Sequence, residues 1–474
     1  MAPPPPGNDA HAAAIHPGRI QAVQDEKTTR AGPAATPPPP DSIKLVRASA
    51  SKPFGFPKGS RFINDLPWVV GLLELANAGD FAANVWNIAP LPIYAIVFMA
   101  IGASTAGILA GFAFYDSTVS YRNVCFLRLQ RRRQRAELAR RRDRGEALLD
   151  VQVRLAVTVR ELGSEAISRW FMDIFMGSGA MLICAGTYMA IDTADPNVNM
   201  ASNILTGYLG NGPIALFGLV NAFWMAYIWT KAQGHLTATQ NALRGSMAAA
   251  LVKRRSRNVQ VFAIIYGTAA IVGGVGSMLT FNWWWGYVIL IPVIASSIFC
   301  NIWWRKRVGY TRAPLRHGEF PPIVPGELIA DLEFTARAEI AVREQPTPTP
   351  IDQFVADPTS LSDVLGFLER HAMLDIFCLR VVSAPELCDA LGGRGSTEMD
   401  LDLDKLLAVP ESLHPRLLEM AHKCVCDVGP LHFRNRERYM TELLGTYYYL
   451  AGSDVDFDGN RGKQPELTSS DSDN

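Results

Sequence analysis

Three carboxylic acids stand among residues that are otherwise almost wholly apolar: Glu74 and Asp80 in LPWVVGLLELANAGDFAANVW, and Asp173 in WFMDIFMGSGAMLICAGTYMAI. Charge at membrane depth is costly unless it meets a partner, a proton or a cation, so each is a candidate membrane-interior polar site. Asp173 has a plain structural account, because Arg169 lies one helical turn away and an i, i+4 ion pair at the end of a span would satisfy both. Glu74 has no basic neighbour in sequence. It lines a cavity if its segment re-enters the membrane, and faces water if the segment is interfacial.

Other patterns carry less chemistry. Asp454, Asp456, Asp458 and Gly459 match the opening of a calcium loop, but Arg461 and Pro465 stand at the eighth and twelfth positions, the latter where such a loop needs a bidentate Glu. His422, Cys424 and Cys426 offer soft ligands that His414 or His432 would complete, yet no CxxC pair or finger spacing occurs. Core thiols and surface histidines are the simpler reading, and Cys378 and Cys388 also read as core. Neither a phosphate-binding lysine loop, a dinucleotide glycine fingerprint, HExxH nor GxSxG is present. The sequence therefore assigns no catalytic residue, metal or cofactor, and it argues against the commonest enzyme classes.

The elements that must position these residues are membrane helices. Residues 91–115 carry no charge, and at 1.5 Å per residue they easily cross a hydrocarbon layer of about 30 Å. Four further spans fit 168–191, 213–230, 259–279 and 284–304, the last bracketed by Trp283, Trp284 and Trp285 at one end and Trp303 and Trp304 at the other. Between the first two spans, 116–167 holds twelve arginines and Gly145, which predicts a basic cytoplasmic helical hairpin. Before them, 62–88 contains only thirteen largely apolar residues, which as an α-helix reach about 20 Å. That predicts a short re-entrant or interfacial helix. Five spans ending inside leave two topologies: either the amino-terminal tail crosses, or 66–86 runs through as a sixth element and both termini are cytoplasmic. Lys52, Lys58 and Arg61, at an inside flank, favour the second.

Arg131, Arg132, Arg133, Arg140, Arg141 and Arg142 are candidate contacts for anionic lipid, although topology alone also accounts for them. Without aromatic interleaving or a known fold motif they do not suggest nucleic acid. Gly102, Gly107 and Gly111 in the first span, and Gly273 and Gly274 in the fourth, are candidate helix-packing positions, within the chain or in a homo-oligomer.

The aqueous parts divide by composition. Residues 1–61 read as a disordered Pro-rich tail, 311–357 as a linker with a helix at 327–343, 358–450 as a small all-helical domain, and 451–474 as an acidic disordered tail. Ser360 with Asp363 and Ser383 with Glu386 look like capping boxes, and helices fit 412–425 and 433–450. The whole chain is 49% hydrophobic with formal net charge zero, and its seven scattered cysteines give no disulfide framework.

The stretch FINDLPWVVGLLELANAGDFAANVWNIAPLPIYA, the arginine-rich loop and the proline-rich tail resemble a group of uncharacterised integral membrane proteins of filamentous fungi, mainly over 62–310. That resemblance brings no activity and no functional residues. The expectation is an all-α polytopic bundle in the plasma membrane or endoplasmic reticulum with a cytoplasmic C-terminus. Its first functional reading is a non-enzymatic scaffold, sensor or adaptor that engages a cytosolic protein. The alternative is a small-molecule or ion transporter using the acids of the first element.

Overall fold

The computed structural model describes residues 42–461 except 65, 87–89, 193–194, 314–319 and 345–349, with the backbone alone at 350 and 453–461. Among the described residues, five helices are long and apolar enough to cross a membrane: Ile93–Arg144, Leu149–Met189, Pro196–Ala242, Met247–Thr280 and Trp285–Val308. The chain is an all-α, multi-pass membrane protein. Its first long helix, α2 (Ile93–Arg144), follows the short α1 (Phe81–Val85). The second comprises α3 (Leu149–Glu165) and α4 (Met172–Met189), joined by a π-helical turn at Ala166–Phe171. The third comprises α5 (Pro196–Asn203) and α6 (Gly210–Ala242), again through a π turn at Ile204–Leu209. Then come α7 (Met247–Thr280) and α8 (Trp285–Trp303), which closes on a third π turn at Trp304–Val308.

In α2 the sequence makes an outward-facing apolar helix with a small-residue seam. Ala95, Met99, Ala103, Ala106, Ala110 and Ala113 recur at helical spacing and are fully buried, while Ile93, Phe98, Ile101 and Phe112 point out. Small residues on the inner face let neighbouring backbones come close, which is how helices associate where lipid removes the hydrophobic incentive. Beyond the apolar run the inner face turns polar, with Asp116, Ser120, Asn123, Gln130, Gln134 and Glu137 buried. Gly145, at φ 68°, makes the left-handed turn that ends α2 and reverses the chain into α3. Gln134 then donates to Thr158 at 3.0 Å across the hairpin.

The segment before α2 is a 3₁₀ helix, Trp68–Ala78, and it lies inside the bundle along α8. Asn301, near the end of α8, donates to the carbonyl of Pro67 at 3.1 Å, and Tyr287, near its start, donates to Asp80 at 2.8 Å. The chain from Pro67 to Asp80 thus runs alongside α8 from Asn301 to Tyr287, a stretch of about 21 Å at helical rise. The short element expected from the sequence is thus a 3₁₀ helix packed beside the long helices. Phe62, ahead of this segment, pairs with Arg312, just after α8, so the chain before Trp68 and the chain after α8 meet at the same end of the bundle.

That end carries the C-terminal domain. It consists of α9 (Pro325–Glu344), α10 (Leu361–Arg370), α11 (Leu374–Val381), α12 (Pro385–Ala390), α13 (Leu403–Leu407) and the 48-residue α14 (His414–Arg461). Ser360 caps α10 through the Asp363 amide at 3.3 Å, whereas Ser383 bonds the Leu379 carbonyl and leaves α12 to begin on Pro385. The break expected between 425 and 433 is absent, since α14 runs through Pro430.

Composition assigned 42–61 to a disordered tail, and here the structure differs. Strand β1 (Ile43–Val46) pairs antiparallel with β2 (Glu398–Leu401), Leu45 against Met399. Leu45 and Phe54 join the domain core with Leu368, Phe377 and Phe433, and Arg61 forms an ion pair with Asp375. Burying Leu45 and Phe54 supplies what the prolines and alanines around them cannot.

Candidate functional site

Burial of charge in this bundle is concentrated where α2, α3 and α4 meet. Arg169 lies on the π turn, a wider turn often found at functional positions. Its Nε and Nη2 donate to Asp116 at 3.0 and 2.8 Å, and its Nη1 to Glu165 at 3.1 Å. Asn123 bridges the same Glu165, at 2.7 Å, to the carbonyl of Ile63, also at 2.7 Å. Asp116, Glu165, Arg169 and Asp173 are 1%, 3%, 3% and 0% exposed, so three carboxyl groups surround one guanidinium out of reach of bulk water.

The i, i+4 pairing of Arg169 with Asp173 is not what forms. A guanidinium fork gains most from a carboxylate that takes two donors, and Asp116 on α2 offers that geometry. Asp173 is left with Ser120, whose hydroxyl donates to Oδ2 at 3.4 Å, while its Oδ1 is buried without a partner. Beside the cluster lies a cavity of about 50 Å³, walled by Glu165, Ser168, Arg169, Tyr266, Asn301 and Trp304. At about 10–15 Å³ per water it holds a few waters or one small polar solute.

The three acids singled out from sequence do not converge. Asp80 is at the end of the bundle away from the C-terminal domain and is satisfied by Tyr287 and by Asn84 at 3.0 Å, which reads as a clamp between α1 and α8. Glu74, midway, accepts from Asn77 at 2.7 Å and lies near Gly273. Only Asp173 belongs to the buried cluster. Its companions Asp116 and Glu165 are not among the three, yet the sequence marks them: Asp116 ends the uncharged run, and Glu161, Glu165, Arg169 and Asp173 recur every fourth residue.

A second charged group joins the bundle to the C-terminal domain. Glu442 on α14 lies 3.1 Å from Arg160, 3.8 Å from Arg255 and 3.6 Å from His235. Burial alone would raise its carboxyl, but these three neighbours outweigh that and hold it below the ordinary value. Next to it Arg312 grips Glu161 at 2.5 Å, and the Tyr310 hydroxyl donates to Glu161 at 2.6 Å.

The other candidates fall elsewhere. A methyl group on Gly102 would meet the Gly79 carbonyl at 2.1 Å, on Gly274 the Ala215 backbone at 2.9 Å, and on Gly107 and Gly273 side chains at 3.1 and 3.0 Å, so these four are contacts within the chain. Gly111 meets nothing within 4 Å. Arg132, Arg133 and Arg142 are exposed, whereas Arg140 and Arg141 pair with Glu137 and the Nε of Arg131 is buried. Among the described residues no three His, Cys, Asp or Glu side chains gather as a metal would need. Cys378, Cys388 and Cys424 lie in the domain core, His432 bonds the His371 carbonyl and His414 that of Val409. The stretch containing Asp454, Asp456 and Asp458 continues the backbone of α14, and its side chains lie outside the described residues.

Comparison with protein-family models, with curated proteins and with solved structures finds no match to this chain.

Proposed function

We propose that this multi-pass membrane protein is a non-enzymatic sensor or adaptor, in which the state of the bundle conditions a C-terminal domain that meets a cytosolic protein. The observation that carries this reading is the seat of Glu442. The helix that forms the domain core at Leu417, Cys424 and Phe433 continues until its carboxylate stands between arginines of two bundle helices. A domain that merely needed anchoring would be served by a flexible linker, whereas a buried charged joint fixes one relative arrangement and makes it sensitive to change on either side. The arginines of the α2–α3 hairpin favour the cytoplasm for that side, with anionic lipid as their partner.

Hydrogen exchange of the full-length protein tests the coupling. Asp173→Asn keeps shape but alters charge in the bundle, and the reading expects changed protection in α10–α13, far from the substitution. Identical exchange there in wild type and variant would sink the sensor reading.

A transporter of protons or small cations is the second reading. It is favoured by the three carboxyl groups around Arg169, whose formal negative surplus a proton or cation would neutralise, and by the adjoining cavity. In liposomes it expects ion flux that Glu165→Gln abolishes.

A further inference from the structure

We infer that the cavity beside the acid cluster binds a small protonated primary amine, with Glu165 and Asn301 accepting its hydrogen bonds. This names the cation of the second reading above and rests on that reading for the surplus of negative charge alone.

Glu165 spends one oxygen, Oε1, on Asn123 at 2.7 Å and on Arg169 at 3.1 Å, and its Oε2 accepts no hydrogen bond among the described residues. Asn301 is fixed through Nδ2, which donates to the Pro67 carbonyl at 3.1 Å and leaves Oδ1 equally unengaged. The two residues are 3% and 6% exposed, yet neither free oxygen is sealed over by protein, so both open into the cavity that these residues wall together. A buried carboxylate oxygen and a buried amide oxygen call for a donor. Arg169 shares the wall, but its three nitrogens are turned to Asp116 and to Glu165 Oε1. With Asp173 beside them the group keeps its formal negative surplus, which a charged donor would reduce and water would not.

The remaining walls decide which cation. Phe262, Tyr266 and Trp304 line the same cavity, with the Phe262 ring centre 5.2 Å from that of Tyr266 and 4.9 Å from that of Trp304. Their polar atoms are spent, since Trp304 Nε1 donates to Asn64 at 3.2 Å and the Tyr266 hydroxyl meets Met172 Sδ at 3.0 Å. Aromatic rings attract an ammonium group, the more so away from water. A hard metal ion wants about six oxygen ligands instead, and among the described residues no three His, Cys, Asp or Glu side chains gather. The volume, about 50 Å³, admits a ligand of only a few non-hydrogen atoms. A quaternary ammonium has no hydrogen to donate to the two oxygens, whereas a primary ammonium has three.

The test is isothermal titration of methylammonium chloride into the full-length protein in nanodiscs of neutral phosphatidylcholine at neutral pH. Saturable heat is expected, with none from sodium chloride at the same ionic strength or from methanol, which has the size of the probe without its charge. Glu165→Gln should raise the half-saturating concentration roughly tenfold or more, as loss of a charged hydrogen bond does. Ser297→Leu, which fills the cavity from α8 and leaves the charged cluster alone, should abolish the heat. No saturation by methylammonium in wild type would overturn the site, as would unchanged binding in Ser297→Leu. An equal response to sodium or to methanol would mean screening or a cavity that takes any small solute, and would overturn it too. Proton flux in liposomes without amine binding would leave the transport reading standing and sink this one, whereas amine binding without flux of any cation would do the reverse.

Discussion

Replacing Glu442 by glutamine removes one charge from the joint and little volume. At an effective dielectric of about 20, its attraction to Arg160 at 3.1 Å and Arg255 at 3.8 Å is gross roughly 5 and 4 kcal/mol. Desolvation of the three groups cancels much of this, and breaking one side of a buried pair costs about 3–5 kcal/mol because the partners stay buried and unmatched. At 1.36 kcal/mol per decade, the lower figure speeds exchange of amides that open with this joint roughly a hundredfold. The assay is hydrogen exchange over 438–450 in Glu442→Gln, with Arg254→Gln as control, since Arg254 is 57% exposed in its pair with Glu437 and such pairs contribute less than about 1 kcal/mol. The pH dependence follows in sign. The carboxyl is depressed in the folded protein, so its contribution is present above the unfolded value of about 4.3 and fades as pH falls through the lower folded value. Wild type and variant should therefore converge in acid. Exchange in Glu442→Gln no faster than in the control at pH 7 would refute the argument that this carboxylate holds the joint.

Three further outcomes are expected. Leu45→Ala should cost about 2–5 kcal/mol, because Leu45 is fully buried in the domain core, and should expose the chain after Lys44 or Arg47 to trypsin. Gly102→Val should prevent folding, since even a methyl there meets the Gly79 carbonyl, whereas Gly111→Ala, with open space around it, should leave the monodisperse peak in size-exclusion chromatography unchanged. Burial depresses His371 and His432 to about 4, so both fold neutral, and the unfolded chain binds more protons below about 6.5. The C-terminal domain should lose stability as pH falls from about 6.5 to about 4, and His432→Gln should flatten that slope in a thermal scan.

How much of this was legible depended on whether the decisive contact was local. The five long helices announce themselves, because an uncharged run such as 91–115 has few alternatives to a membrane helix. The short apolar segment is legible as an element but not in its form: Trp68–Ala78 is a 3₁₀ helix laid along α8, and no local pattern marks that. Strand β1 is four residues long and its partner is some 350 residues away, so nothing nearby marks it. Arg169 shows the same limit at the site. The rule of one helical turn pointed to Asp173, but a π turn and a better-placed fork acceptor on another helix decided the pairing. Asp116 and Glu442 take their meaning from groups that sequence spacing does not bring together.

The 3₁₀ segment has a consequence for how the protein is made. Its closing contact, Tyr287 to Asp80, joins residues 207 apart, and β1 waits for β2 near the other terminus. A ribosome delivers the first element long before the surfaces that fit it exist, and so short a helix has little hold on a bilayer by itself. The segment is thus settled late, when α8 arrives to pack against it and the C-terminal domain fastens the strand behind it. Until then the nascent chain carries an unfilled slot and an unpaired edge, and its assembly is governed by its last-made parts.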